Sequence, residues 1–289
     1  MGIVLGPNQY GKAENRVVRI YRDSSRHEIR DLNVSTSIRG DFTDAHVTGD
    51  QAHVLPTDTQ KNTAFAFAKE HGIASPEAYA VALGRRLLDA TPAATGVRVR
   101  VEEFPWDRVS AGGREHDHTF VRRGGEVRTV ELDVTADGLR LTSGLTDLVV
   151  LKSTGSEFKG FLRDEYTTLP DADDRILATS LTATWRHAQD AAEQVATVDW
   201  DQEFHAARAL LLEAYAETYS HALQETLYAM GRLLLDRVPT IAEVSFAAPN
   251  KHHFLVDLEP FGLDNPGEVF IAADRPYGLI EATVRRDDA

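Results

Sequence analysis

The side chains best suited to chemistry are concentrated in one irregular stretch, residues 151–169. A strand-like segment ends there in a turn rich in serine, threonine and glycine, and two aromatic residues, Phe158 and Phe161, then flank a glycine. Charged and aromatic residues follow and lead on to Arg175. Irregular connections often line binding sites, so this stretch is a candidate site. The alternative is a linker that its aromatic residues merely anchor.

Histidines provide the next candidates, as ligands of a metal ion. His116 and His118 share one face of a strand-like segment, and this spacing can bind zinc. The plainer interpretation, a polar strand edge after a Gly-Gly turn, is favoured. His252 and His253 point to opposite faces of an extended chain and cannot easily chelate one ion together. The sequence therefore predicts no metal site.

Several common catalytic devices are missing from the sequence. The chain contains no cysteine, which excludes disulfides, thiolate catalysis, iron–sulfur clusters and cysteine-type zinc sites. It also lacks a dinucleotide-binding glycine loop, a phosphate-binding loop ending in Gly-Lys-Ser/Thr and a Gly-x-Ser-x-Gly nucleophile motif. An enzyme built from this chain must work with side chains and substrate alone, or with a metal held by histidines and carboxylates.

The charge of the chain limits its partners. The formal net charge is −14 and no sustained run of Lys and Arg occurs, which argues against nucleic acid and anionic membranes as partners. A small anionic substrate stays possible, because one buried arginine sets its own local field. No stretch approaches the ~18 apolar residues of a membrane helix. Residues 1–7 lack the features of a signal peptide and residues 285–289 are not a peroxisomal address, so a cytoplasmic protein is expected.

The elements that must position these residues occur in the same order twice. Period-two alternation predicts strands, and capping residues such as Ser75 before Pro76 predict helix starts. The helices are predicted to open at residues 56–58 and 75–77, and one long helical region is predicted over residues 204–237. The strands are predicted over residues 16–21, 28–38, 96–102, 118–122, 128–135, 139–152, 176–185, 243–246, 253–258, 269–272 and 279–284.

This order predicts an α+β fold of two similar modules, residues 1–150 and 151–289, with the boundary region at about 137–175. Each module is expected to be an antiparallel sheet with helices on one face. Such sheets have open edges, and pairing of edges between subunits would extend them into a barrel. An oligomer is therefore expected.

Five motifs in the chain resemble those of the urate oxidases (uricases), and the resemblance covers nearly the whole sequence. The match is specific because the motifs keep the family's order and spacing from the first residues to near the end. They are Tyr10-Gly11-Lys12, Thr57-Asp58 with Lys61-Asn62-Thr63, the stretch 151–169 leading to Arg175, Leu223-Gln224-Glu225-Thr226-Leu227-Tyr228, and Pro249-Asn250-Lys251-His252-His253-Phe254.

The resemblance implies how a purine would be held. Phe158 resembles the aromatic residue that stacks on the purine plane, while Arg175 and Gln224 resemble the pair that grips opposite edges of it. A guanidinium offers forked donors, and a glutamine amide offers a donor and an acceptor together. Leu223 is expected to contribute only its backbone. Taken singly, these residues would be interpreted as a core aromatic, a surface ion pair and a helix-surface amide.

The resemblance also implies a proton relay. Lys12, Thr57 and His252 resemble the relay group, Asp58 lies beside it, and Asn250 resembles the residue that holds dioxygen or water above the ring. A threonine hydroxyl is a poor base by itself, so a neighbouring lysine must be coupled to it. The plainer roles would be an exposed lysine, a helix cap at Thr57 and Asp58, and a turn asparagine.

The fold implied by the family is the T-fold, with two tandem modules per chain and a homotetramer built around a tunnel. Lys12, Thr57 and Asp58 would act on urate held by the binding residues of a neighbouring subunit. The reaction implied is oxidation of urate by O2 without metal or organic cofactor. Two alternatives stay open: another T-fold enzyme, such as a zinc-dependent GTP cyclohydrolase, and a non-catalytic protein that keeps the purine pocket.

Overall fold

A computed structural model describes residues 2–189, 193 and 195–287, and these divide into two compact units. Unit 1 comprises described residues of 1–145 and 184–204, and unit 2 those of 146–183 and 205–289. The long strands β7 (Gly138–Lys152) and β8 (Leu177–His187) contribute residues to both units. Within the described residues, no helix is both long and apolar enough to span a membrane.

Unit 1 is built on an antiparallel sheet covered by helices. Its strands are hydrogen-bonded in the order β1, β2, β3, β6 and β7, and β4 pairs with β5 in a separate hairpin. The strands are β1 (Gln9–Tyr21), β2 (Glu28–Gly40), β3 (Ala94–Glu103), β4 (Trp106–Ala111), β5 (Arg114–Arg122) and β6 (Val127–Thr135). The helices are α1 (Thr43–Val47), α2 (Thr57–Glu70) and α3 (Pro76–Asp89).

Helix α3 packs closely on this sheet for reasons visible in the sequence. Ser75 caps it by accepting a 3.1 Å hydrogen bond from the Ala78 N–H, and Pro76 occupies the first helical position, as predicted. A Cβ on Gly84 would lie 2.5 Å from Leu132, so only glycine allows this approach of helix and strand. The alternating valines of β3 form the apolar floor beneath the helix.

Unit 2 contains two antiparallel strand pairs and two helices. Strand β9 (Ile241–Asn250) lies between β8 and β12 (Gly278–Arg285), and β10 (His253–Leu255) pairs with β11 (Phe270–Ala272). The helices are α4 (Trp200–Glu217), of which residues 205–217 belong to this unit, α5 (Leu223–Arg237) and a 3-10 turn at Glu259–Phe261. A Cβ on Gly231 would lie 2.6 Å from Val284, so α5 also approaches its sheet closely.

The helical region predicted over residues 204–237 is wrong in one respect, because it is two helices. The chain leaves the helical conformation around Ser220, whose backbone pairs elsewhere. Its N–H donates to the Gly155 carbonyl at 3.0 Å, and its carbonyl accepts from the Glu157 N–H at 2.8 Å. Tertiary hydrogen bonds thus override a helix-favouring sequence.

A buried polar network connects the segment 184–204 to the rest of unit 1. The guanidinium of Arg128 donates to Glu77 at 2.7 Å and to Asp201 at 2.6 Å. The Ser143 hydroxyl donates to Glu77 at 2.8 Å and lies 2.9 Å from Nε2 of His187. Because Arg128 and Glu77 are almost fully buried, removing one of the pair would leave an unpaired buried charge.

Acid is expected to destabilise this network through His187. Burial, together with the charge of Arg128, lowers the pKa of His187 from 6.5 to about 3. The Glu203 carboxylate lies 3.2 Å from Nδ1 but without the geometry of a hydrogen bond. Between these two pKa values the unfolded chain binds the extra proton, so stability falls as the pH falls. We expect a loss of about 2 kcal/mol between pH 7 and pH 5.

Urea denaturation at both pH values measures this loss. The His187→Gln variant should lose the His187 part of the pH dependence, whereas His71→Gln, which alters an exposed side chain, should keep it. An unchanged pH slope in His187→Gln would contradict the assignment.

Candidate active site

Lys12 lies on the edge strand β1, directly opposite Thr36 of β2, and its side chain is half-buried. The approach of the two strands depends on Gly11, because a Cβ there would lie 1.8 Å from the Thr36 carbonyl oxygen. A β-bulge follows Lys12, and within it Glu14 has a φ of 56° and donates its N–H to Ser35 at 2.9 Å. The bulge sets the direction of the strand at the lysine.

Thr57 and Asp58 are the first two residues of α2, and neither caps the helix. The N-cap residue is Pro56, which makes no side-chain cap hydrogen bond. The alternative interpretation of Thr57 and Asp58 as a helix cap is therefore wrong. Thr57 is exposed, and its hydroxyl has no hydrogen-bond partner among the described residues. The hydroxyl is therefore free to contact a ligand.

Asp58 is held on the outer face of α2 by its own helix. It pairs with Lys61 and accepts a 2.9 Å hydrogen bond from the Asn62 amide. The hydrogen bond and charge of Lys61 lower the pKa of Asp58, and the charge of Lys12 lowers it further. Lys12 is thus close enough to Asp58 for their charges to interact.

A buried hydrogen bond that the sequence does not predict joins α2 to β2, the strand beside Lys12. The Thr36 hydroxyl donates to the Gln60 side-chain oxygen at 2.8 Å, and Gln60 is fully buried in α2. Thr36 is the residue opposite Lys12, so the bond fixes the start of α2 against the strand pair that carries the lysine. The only signal in the sequence is a glutamine three positions after Thr57.

Phe158 belongs to a loop whose backbone is paired. Its N–H donates to Ala172 at 2.8 Å, and its carbonyl accepts from the same residue at 3.0 Å. The Arg175 N–H donates to the Ser156 carbonyl at 2.7 Å. Phe161 stacks nearly parallel on the Phe158 ring with centroids 5.0 Å apart, and the Arg175 guanidinium lies 5.1 Å from the Phe158 centroid.

Arg175 carries a positive charge that the described part of the chain does not neutralise. It forms no ion pair there, and its Nε atom is buried without a hydrogen-bond partner. Burial lowers the pKa of this guanidinium. A partly desolvated cation beside an aromatic face is costly without a counter-charge, so the arrangement suits a flat anion.

Leu223 and Gln224 are the first two residues of α5. Ala222 precedes them without a side-chain cap, so N–H groups of the first turn stay available. Leu223 is 2% exposed, so its side chain packs inside the unit. Gln224 is exposed and its amide has no partner among the residues described. The pairing of Ser220 with the Phe158 loop holds the start of α5 beside that loop.

Asn250 ends β9 opposite Gly278, and His252 lies in the short turn before β10. Both are half-buried. Backbone bonds hold this turn: the Lys251 N–H donates to Ala178 at 2.8 Å, and the His252 carbonyl accepts from Ala273 at 2.9 Å. Ala178 is three residues beyond Arg175, so unit 2 brings the turn towards the end of β8 that follows the arginine.

The nine predicted residues thus form two sets in different units. The unit 1 set is Lys12, Thr57 and Asp58, and the unit 2 set is Phe158, Arg175, Leu223, Gln224, Asn250 and His252. In the described residues, no three histidine or carboxylate groups come together as a metal site. The rings of His116 and His118 contact each other perpendicularly with centroids 4.5 Å apart.

Comparison with solved structures defines the class of fold. The structure resembles a crystal structure of uricase from Arthrobacter globiformis with a TM-score of 0.93 and 51% identity, covering 100% of this chain and 97% of that one. It resembles a uricase from Bacillus fastidious with a TM-score of 0.83 and 25% identity, covering 97% and 94%. The fold is therefore the T-fold, as predicted.

Sequence comparison gives the family. Uricase from Arthrobacter globiformis is 52% identical over 285 residues, covering 99% of this chain and 91% of the relative. Uricase from Danio rerio is 36% identical over 283 residues, covering 96% and 93%. The family model described as Uricase matches residues 8–133 and 141–281. The chain belongs to the uricase family, which confirms the resemblance found in its motifs.

Proposed function

We propose that this chain is a urate oxidase that converts urate, O2 and water to 5-hydroxyisourate and hydrogen peroxide. The observation that carries the proposal is Arg175, a half-buried cation that forms no ion pair within the described residues and lies beside the ring of Phe158. Urate is a flat anion at neutral pH, so it supplies both the aromatic surface and the negative charge that this arrangement lacks. Family membership supports the same substrate.

In the proposed complex, residues of the unit 2 set contact one face and two edges of the purine. The ring lies flat on Phe158, with the Arg175 guanidinium on one edge and the Gln224 amide on the other. Forked donors suit a carbonyl or anionic nitrogen, while an amide matches neighbouring donor and acceptor atoms. The backbone N–H of Leu223 at the start of α5 adds a donor, and the positive end of the helix dipole favours the anion.

Proton removal prepares urate for oxygen. Lys12, Thr57 and His252 take a further proton from the bound anion, and Asp58 keeps a negative charge close to the lysine. Two observations support this relay: the Thr57 hydroxyl has no partner in the described structure, and Lys12 interacts with Asp58. The protein supplies positioning and proton transfer.

The electrons come from the substrate. The urate dianion transfers two electrons to O2, which takes up two protons and leaves as hydrogen peroxide. Water then adds to C5 of the oxidised purine and gives 5-hydroxyisourate. Asn250 holds O2 and afterwards water above the ring. Because urate and O2 exchange electrons directly, the proposal requires neither a metal nor an organic cofactor.

Assembly into a homotetramer completes the proposed site, with the unit 1 set of one copy acting on urate held by the unit 2 set of a neighbour. Large apolar side chains are exposed on β10, on β11 and in the segment between them. They support this assembly, since exposed apolar patches mark interaction surfaces. They include Phe254, Phe261 and Ile271, which are 56%, 74% and 58% exposed.

The purified protein, mixed with urate in air, tests the function. Urate loss is followed by its ultraviolet absorbance beside oxygen uptake and peroxide formation, with and without a chelator. The proposal expects matched consumption that the chelator does not change. No turnover by a confirmed tetramer would instead indicate a purine-binding protein, and chelator-sensitive turnover would indicate a metal enzyme.

A further inference from the structure

We propose that Asp174 is a positioning residue that fixes Phe158 and Arg175 in the arrangement that receives urate. The inference rests on the proposed function, and it assigns to Asp174 no contact with the substrate. Asp174 precedes Arg175 in the sequence and holds the other side of the loop through its side chain.

The Asp174 carboxylate accepts three hydrogen bonds from one turn of the Phe158 loop. Oδ1 accepts from the Gly155 N–H at 2.9 Å and from the Ser156 N–H at 3.2 Å. Oδ2 accepts from the Thr154 hydroxyl at 2.6 Å. Gly155 has a φ of 75°, a conformation that glycine adopts without strain, and it turns the two successive N–H groups towards one oxygen.

These bonds close a short backbone clamp. The Arg175 N–H donates to the Ser156 carbonyl at 2.7 Å, and Phe158 pairs with Ala172. One side of the clamp ends in the aromatic ring and the other in the guanidinium. The carboxylate therefore sets the spacing between the stacking surface and the cation, because Phe158 is two residues after Ser156, which it holds, and Arg175 directly follows Asp174.

The same bonds account for the absence of an ion pair between Asp174 and Arg175 in the described structure. Asp174 is the neighbour of Arg175 in the chain, yet its carboxylate is turned towards the loop. The bond from Thr154, with the loop N–H groups, holds the pKa of Asp174 below its usual range, so the carboxylate stays ionised in this role. Asp173 differs: it is 90% exposed and bonds only to Lys159 among the described residues.

The test compares Asp174→Ala and Asp174→Asn with Asp173→Ala and Asp173→Asn as matched controls. We expect Asp174→Ala to raise the KM for urate about 10-fold to 100-fold and to change kcat less than about threefold. Urate affinity measured by calorimetry without oxygen should fall by the same factor as KM rises. Asp174→Asn retains one acceptor oxygen for the loop and should show a smaller effect, and both Asp173 variants should match the wild type.

A KM and an anaerobic affinity like those of the wild type in folded, tetrameric Asp174→Ala would overturn the inference. A 10-fold to 100-fold fall in kcat with unchanged urate affinity would also overturn the inference, since that pattern indicates a catalytic or general structural defect. If Asp174→Ala does not fold, Asp174→Asn decides by the same measurements. Failure of the wild type to oxidise urate would instead reject the proposed function, so the two failures are distinguishable.

Discussion

Replacing Lys12 with methionine is expected to lower kcat for urate oxidation by roughly two to four orders of magnitude. Methionine keeps much of the length of the side chain but cannot carry a proton. The Thr57 hydroxyl has no partner among the described residues, but it is a poor base without a coupled amine, so removal of the second urate proton becomes slow. The KM should change little, because the residues proposed to grip urate are in the unit 2 set. Steady-state kinetics on air-saturated urate measures both constants.

Lys69→Met is the matched control, because Lys69 is an exposed lysine near the end of the same helix that begins with Thr57. It should retain the activity of the wild type. Turnover near the wild-type rate in Lys12→Met would show that Lys12 has no part in proton removal.

The second large effect is expected for Arg175→Ala, which should lower kcat/KM by about 100-fold to 1000-fold. Two charge-assisted hydrogen bonds to the anion are lost together. Arg175→Lys should recover little of the loss, since an ammonium cannot present the planar fork. Thermal stability should not fall in Arg175→Ala, because the guanidinium is partly desolvated and has no counter-charge in the part of the chain that the structure describes. This combination separates a binding role from a structural one.

Arg163→Ala provides the control within the same loop, because Arg163 is exposed and pairs with Asp171. Its kcat/KM should remain within about threefold of the wild type. Equal losses in the two variants, or a destabilised Arg175→Ala, would contradict the role of Arg175 as a urate-binding cation.

A mixture of these two inactive variants tests whether neighbouring copies share sites. If the unit 1 set of one copy serves the unit 2 set of another, co-expression of Lys12→Met and Arg175→Ala chains pairs two intact sets at about one site in four. Activity should then return to roughly a quarter of the wild-type value. Mixed tetramers that stay inactive would show that each chain completes its own site.

The sequence pattern alone predicts much of the fold. Alternating residues located the main strands, and Ser75 with Pro76 located the start of α3, because these signals are local. The strand β4 was missed, and the region over residues 40–50, which is turn-like in sequence, contains the short helix α1. The break before α5 was missed as well, since it depends on the pairing of Ser220 with residues more than sixty positions earlier in the chain.

The candidate site was less visible in the pattern. The motifs shared with uricases singled out Arg175, whereas its type and position alone favoured a surface ion pair. Among the described residues Arg175 has no ion-pair partner, and this is a property of the folded loop: Asp174 turns its carboxylate to residues eighteen to twenty positions away. The buried bond between Thr36 and Gln60 is equally invisible, because it joins a strand and a helix.

A single-turnover experiment that separates urate from oxygen tests the proposed reaction most directly. Protein and an equal amount of urate are mixed without oxygen, and the ultraviolet absorbance of urate is followed before and after air is admitted. We predict no loss of urate under anaerobic conditions, followed by complete loss on admission of air with one O2 consumed and one hydrogen peroxide formed per urate. Loss of urate before air is admitted would reveal a bound oxidant, and persistence of urate afterwards would contradict the proposed reaction.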